Sequence, residues 1–262
     1  MEVVVPSRSD GGGGAAASGV RAAREGLGVC VVTDVLEVTP RMRRVTLRGE
    51  GLREAVATGP DQRVKLSFPA SHRFSGDAAE VALARRRRRT YTLLDLDPAS
   101  GTATVDFVLH PAGVAAAWAA EAVPGDEVML TAPVGGFEVP DDADEVVLVA
   151  DETGLPALQA IAAGLAPSTK VRAFVEIADA GERQPIPSGA DLEITWLERD
   201  GAPHGGPMTR LAADLAASVS PQVAVWIAGE AAAVRTLRNA LITDAGVDRH
   251  RIDAVAYWTE GR

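Results

Sequence analysis

The chain has 262 residues, 47% hydrophobic and 24% charged, a globular balance that excludes a disordered, collagen-like or coiled-coil protein. One cysteine, Cys30, excludes an internal disulfide and a multi-cysteine metal or iron–sulfur site, and no apolar run nears the ~20 residues that cross a bilayer, so no membrane insertion is expected. The net charge of −10 argues against nucleic acid as a partner, and it is unevenly spread: 16 basic and 17 acidic residues lie in 1–140, 10 basic and 19 acidic in 141–262.

Residues 1–22 contain GGGGAAASG and no apolar periodicity, which predicts a disordered leader. The leader lacks the basic and apolar regions of an export signal, so a cytoplasmic location is expected. Residues 23–140 read as one domain of short strands, at 29–38, 42–47, 63–68, 90–96, 102–110 and 127–130. Turn chemistry separates them, such as Pro124-Gly125-Asp126. Six short strands of this kind predict a small antiparallel β-barrel. An Ala-rich helix is expected at 114–122, between two strands. Residues 71–84 are polar and aperiodic and read as an irregular loop.

The texture changes in 141–262. The continuous apolar run at 145–150 (EVVLVA) is typical of a strand buried on both faces. Strands are expected at 170–177, 192–197, 223–228 and 251–258, with helices near 155–165, 208–218 and 231–244. Alternating strand and helix predicts a parallel sheet covered on both faces, an α/β domain of nucleotide-binding type. The charge asymmetry fits two domains with different tasks.

Several short motifs fall in a fixed order: TPRMRRVTL at 39–47, VKLSFP at 64–69, RTYT at 89–92, DFVLH at 106–110, GVAAAW at 113–118, ADETGLPA at 150–157, AGEA at 228–231 and YW at 257–258. In this order and spacing, over roughly residues 27–260, the chain resembles the siderophore-interacting protein family of FAD-dependent ferric-siderophore reductases, whose fold is of the ferredoxin-reductase type. The resemblance implies FAD on the barrel, NADPH or NADH on the α/β domain, and a ferric siderophore or another oxidised small molecule as partner. It implies no general acid and no metal site, because the cofactor carries the chemistry.

Arg89 and Tyr91 share one face of a strand, since strand side chains alternate with period 2. Arg89 suits bidentate pairing with the flavin pyrophosphate, and the Tyr91 ring suits the isoalloxazine. Thr92 faces the other way, toward the flavin N5 edge. The resemblance adds flavin and adenosine contacts at Asp106, Phe107, Val108 and His110. Ala115, Ala116 and Trp118 lie in the first turns of a helix, whose N-terminal N–H groups suit a phosphate. Asp151, Thr153, Gly154 and Leu155 form a turn at the C-terminal edge of a parallel strand, where such folds bind nucleotides. Gly229 and Glu230 end another strand at the same edge. Arg85, Arg86, Arg87 and Arg88 would form a rim that attracts an anionic ferric siderophore.

Three positions depart from the family pattern. Leu94 stands where a second Arg is usual, Ala115–Ala117 where a small hydroxyl residue is usual, and Thr259 where Arg or Lys usually follows Tyr-Trp. Arg172, Arg183 and Arg199 are the cations available to an NADPH 2′-phosphate. A second functional class is therefore a repurposed relative, a tailoring or cyclising enzyme or a binding module, that holds flavin or a small molecule without NAD(P)H turnover.

Overall fold

The computed structural model describes residues 26–111 and 113–261, so the expected leader at 1–22 lies outside the described residues. The first half forms strands β1 (Gly28–Thr39), β2 (Met42–Arg48), β3 (Arg63–Ser67), β4 (Arg89–Thr92), β5 (Leu94–Asp97), β6 (Thr102–Val108) and β7 (Glu127–Leu130). They make one antiparallel sheet in the order β4-β3-β7-β1-β2-β6-β5. The sheet has seven strands where six were expected, because the run 90–96 divides at Leu93. The two pieces pair at opposite edges of the sheet, β4 with β3 and β5 with β6. One residue joins the two edges, so the sheet wraps into a closed, barrel-like form. The Leu93 N–H donates to the Gln62 carbonyl at 2.9 Å and its side chain is buried, which pins the closure. Closure leaves no long unpaired edge.

Three helices interrupt these strands. The single turn α1 (Glu50–Arg53) was not expected. Helix α2 (Ala78–Arg86) replaces part of the loop expected at 71–84. Its start signal is Asp77-x-x-Glu80: Asp77 caps the helix, accepting from the Ala79 N–H at 2.8 Å. Glu80 reaches back to accept from the Ser75 N–H at 2.9 Å. Helix α3 (Val114–Glu121) lies where the Ala-rich run placed it and packs Ala115, Trp118 and Ala119 into the barrel core.

Cys30 is fully buried in that core, and burial pushes its thiol from an ordinary 9.0 up to about 12. The fold thus favours the neutral thiol. The associated stability is present below pH 9 and is lost as pH rises toward 12. At pH 8 an aromatic disulfide reagent should leave the native protein unlabelled and label it fully in urea, because the thiolate is the reacting form. Labelling of the native protein within minutes would show that the barrel core opens.

The second half forms β8 (Val146–Asp151), β9 (Lys170–Ile177), β10 (Asp191–Glu198), β11 (Ala224–Glu230) and β12 (Ile252–Trp258), all parallel, in the order β10-β9-β8-β11-β12. Every residue of β8 is buried. Val146, Leu148 and Ala150 face helix α4 (Leu155–Gly164), and Val147 and Val149 face α5 (Gly206–Ser218) and α6 (Ala231–Thr243). The alternation follows from the two-residue period of a strand, and burial on both faces explains the unbroken apolar run. The crossover from β9 to β10 carries only the short 3₁₀ turn Ala180–Glu182 and packs Ile186 against the sheet.

Candidate functional site

The order β10-β9-β8-β11-β12 reverses between β8 and β11. Both strands run the same way, and the chain leaves them in opposite directions. A crevice at the carboxyl ends of such a pair is the ligand-binding position of open α/β sheets. Asp151 ends β8 there, and Gly229 and Glu230 end β11. The Asp151 carboxylate ties the crevice floor together. Its Oδ1 accepts from the Thr153 N–H at 2.8 Å and hydroxyl at 2.5 Å, and its Oδ2 from the Glu230 N–H at 3.0 Å and Trp258 Nε1 at 2.8 Å. Burial nonetheless outweighs these bonds and raises the Asp151 carboxyl above the usual carboxylate range. Gly229 is required beside it: its φ is +148°, and a Cβ there would sit 2.6 Å from Asp151 Oδ2. Gly154 and Leu155 are buried at the start of α4, with Pro156 inside its first turn.

Glu230 has a second task. Its Oε2 accepts from the Ala232 and Ala233 N–H groups at 2.6 and 3.1 Å, capping α6. The α5 N-terminus is capped from a distance. Glu176, at the end of β9, accepts from the Gly205 N–H at 2.7 Å and the Met208 N–H at 3.0 Å. The N-termini of α5 and α6 therefore already hold a protein carboxylate, while α4, capped at Gly154, has no side-chain cap. Glu176 also meets Arg199 at 3.3 Å, and Arg199 grips Glu152 through two bonds of 2.9 and 2.5 Å. All three residues are buried. None of them stood among the expected site residues apart from Arg199 as a phosphate cation, although Glu152 lies inside the ADETG motif that marked this turn.

On the barrel, Tyr91 of β4 is half-buried and packs on Phe107 of β6 at 4.6 Å between ring centroids. Phe107 in turn meets Phe68 and Trp118 at 6.4 and 5.8 Å. The chain is poor in aromatics, and four of them gather at this one place. Phe107, Trp118, Ala115 and Ala116 are fully or almost fully buried, so they back the site rather than face open space. Burial holds the Tyr91 phenol up to about 12, so it stays neutral. Arg89 is exposed, and among the described residues its guanidinium bonds only the Arg87 and Arg88 carbonyls, at 3.2 Å each. Arg85 and Arg86 end α2, Arg87 caps it and Arg88 follows; all are exposed, and none is ion-paired among the described residues. Asp106 points elsewhere, gripped by Arg44 at 2.6 and 2.7 Å. Val108 ends β6 half-buried. His110 follows it, exposed, with a pKa lowered by partial burial and by the nearby His204 of the α/β domain. His204 packs edge-on against Trp258 at 5.2 Å. His204 thus lies between the strand end at His110 and Trp258 at the crevice floor.

The seam between the halves carries the clearest sign of a missing group. Thr92 of β4 and Tyr257 of β12 bring their hydroxyls to the same place, yet neither has a well-formed hydrogen bond, and nor does Asp61 Oδ1. All three atoms are buried, and Asp61 otherwise receives only Trp226 Nε1, at 3.4 Å. Buried polar atoms are ordinarily paired, and unpaired ones mark a place where a polar ligand would bond. Helix α3 adds an uncapped N-terminus: Gly113, at φ +108°, offers no side-chain acceptor to its first N–H groups. The residues present thus fit a flavin. It needs an aromatic surface, polar partners for its ring edge and cationic or N–H groups for its phosphates, and Tyr91, the orphaned hydroxyls, the exposed Arg89 and the uncapped start of α3 are groups of those kinds. Sequence reasoning missed Tyr257 and Asp61 as site residues. The YW motif pointed to the former, and no local pattern pointed to the latter.

Comparison with known proteins identifies the family. Residues 31–137 match the model of the siderophore-interacting FAD-binding domain, and residues 143–261 that of the siderophore-interacting protein. A siderophore utilization protein from T. fusca is 32% identical in sequence and superposes with a TM-score of 0.76, over 89% of this chain and 93% of that one. The NADPH-dependent ferric-chelate reductase of Escherichia coli is 28% identical over 237 residues, 87% of this chain and 91% of its own length. A mycobactin import ATP-binding/permease protein of Mycolicibacterium smegmatis is 29% identical over 229 residues, and the chain spans only 25% of its length. Among the described residues, no helix is long and apolar enough to cross a membrane.

Proposed function

The chain belongs to the siderophore-interacting protein family, and from that premise we propose that it is an FAD-dependent NAD(P)H oxidoreductase that reduces ferric siderophores. The observation that carries this reading is the seam: the strand bearing Arg89, Tyr91 and Thr92 meets the α/β domain at Tyr257 of β12, the neighbour of β11. A flavin strand and a nucleotide edge must adjoin for hydride transfer. FAD, when bound, supplies the exchange between a two-electron donor and a one-electron acceptor. One NAD(P)H reduces two Fe(III) to two Fe(II), and NAD(P)⁺ and one proton are released.

The chain's own residues bind and orient. Tyr91 gives a flat, neutral surface for the flavin ring. Thr92 and Tyr257 offer hydroxyls to its polar edge. Arg89 and the first N–H groups of α3 take the pyrophosphate. Leu94 is buried, so it makes no phosphate contact of the kind a second Arg would make. Asp151, Thr153 and Trp258 fix the crevice floor on which a nicotinamide would rest. Arg85 to Arg88 present unpaired positive charge near the flavin strand, suited to an anionic ferric chelate.

The test is spectroscopic. The purified protein should bind FAD and show a flavin spectrum that NAD(P)H bleaches without oxygen and a ferric siderophore restores, with Fe(II) appearing in a ferrous chelator. A colourless protein that binds no added FAD would overturn the proposal and favour the repurposed relative. Changing Arg85 to Arg88 to Ala together should raise the KM for an anionic ferric siderophore by about threefold to tenfold at low salt, and little at high salt, because steering by exposed charge is screened. Flavin bleaching by NAD(P)H should be unchanged.

A further inference from the structure

We propose that this chain takes NADH in preference to NADPH, with Asp179 and Asp200 as the residues that read the adenosine ribose. The inference rests on the reductase reading above and names the donor that its α/β domain accepts.

Two neighbouring cavities, of about 300 and 520 Å³, lie along the carboxyl edge of the parallel sheet with His204 lining both, and together make an interrupted trough. Arg41, Asp179, Arg199, Asp200 and His204 line the first, and Arg235, Glu230 and Glu260 are the charged residues of the second. The trough passes the β8–β11 crevice at Glu230, so a dinucleotide with its nicotinamide there extends its adenosine end into the trough. In doubly wound nucleotide-binding folds, an acidic residue hydrogen-bonds the ribose 2′-hydroxyl of NADH, whereas an Arg accommodates the 2′-phosphate of NADPH. Asp179 lies just beyond β9, the strand next to β8, and both Asp179 and Asp200 are exposed to the trough.

Four of the cations that could approach a 2′-phosphate already face carboxylates. Arg199 is 9% exposed, and both its terminal nitrogens bond Glu152 and Glu176. Arg183 pairs with Glu198 at 2.5 Å. Arg172 pairs with Glu145 at 2.8 Å near the start of β9, toward the opposite edge of the sheet. Arg41 lies 3.6 Å from Asp179. Arg235 shares its stretch of the trough with Glu230 and Glu260. A dianionic phosphate here would displace existing ion pairs or sit beside unpaired carboxylates, and both are unfavourable. The uncharged diol of NADH finds two acceptors instead.

Calorimetric titration of the whole protein with 5′-AMP and with 2′,5′-ADP tests this without relying on turnover. Binding of 5′-AMP should be about tenfold tighter or more, the equivalent of one lost favourable charge contact. NADH should exceed NADPH in kcat/KM by a similar factor. The isosteric pair Asp179→Asn and Asp200→Asn should lower that ratio by raising the affinity for 2′,5′-ADP. Equal or tighter binding of 2′,5′-ADP by the unmodified protein overturns the NADH preference and leaves the reductase reading standing. Binding of neither nucleotide overturns the nucleotide-binding reading and the preference with it.

Discussion

Arg199→Met should be the most damaging single substitution in the α/β domain, costing about 3–5 kcal/mol of unfolding free energy, the usual penalty for orphaning a buried charge. Arg199 is the only positive group bonded to Glu152 and Glu176 among the described residues. Its loss leaves two carboxylates with 7% and 0% exposure and no cation between them. Glu176 still receives the Gly205 and Met208 N–H groups, so the α5 cap survives, and the effect comes from uncompensated charge. Urea unfolding monitored at the tryptophans reads it directly, since Trp226 is fully buried in this domain. A loss under about 1 kcal/mol would show that the network contributes little and that water or relaxation replaces the missing cation.

FAD affinity is the second large expected effect. Arg89→Ala should weaken FAD binding about tenfold to a hundredfold, as expected for a lost charge-assisted contact to a phosphate. Arg89 is exposed and holds only two main-chain carbonyls of its own loop, so the melting temperature of the FAD-free protein should hardly move. Tyr91→Ala should weaken FAD binding at least as much, but it also removes a ring 4.6 Å from Phe107 and so destabilises the barrel. Tyr91→Phe separates the two roles: it keeps the packing and the flat surface and should retain most of the affinity. Fluorescence quenching of FAD titrated with each variant measures the dissociation constants. Unchanged affinity in both alanine variants would remove β4 from the flavin site.

The two effects arise at different levels of organisation, and the sequence exposed them unequally. Arg89-Thr90-Tyr91-Thr92 is a contiguous motif, legible because alternation on one strand sorts its side chains by face. The Asp151 turn was legible for a similar reason, since a Gly and a Pro after an apolar run mark a strand-to-helix turn. Trp118 and Phe107 were legible as residues of the region but not as its buried backing, because burial depends on what the other strands of the barrel bring to them. Helix α2 was missed: Asp77 and Glu80 signal its start, but the polar and aperiodic look of 71–84 concealed it. Arg199 looked like a free cation for a phosphate. Its partners are Glu152 and Glu176, which lie 47 and 23 residues away in the chain.

The sequence by itself determined the order and type of nearly every element, the antiparallel-then-parallel division and the family. These follow from hydrophobic period and turn chemistry, which are local, and from motifs that keep their spacing. Folding settles three other things: the closure of the barrel at Leu93, the pairing that neutralises Arg172, Arg183 and Arg199, and the meeting of Thr92 and Tyr257 at the seam. Each depends on groups far apart in sequence brought within a few ångströms, where Coulomb energy and burial act over distance in space and leave no periodic trace along the chain. The acidity of residues 141–262 is one such case. It read as a shortage of phosphate-binding cations, and the folded chain shows those cations present and already held by carboxylates.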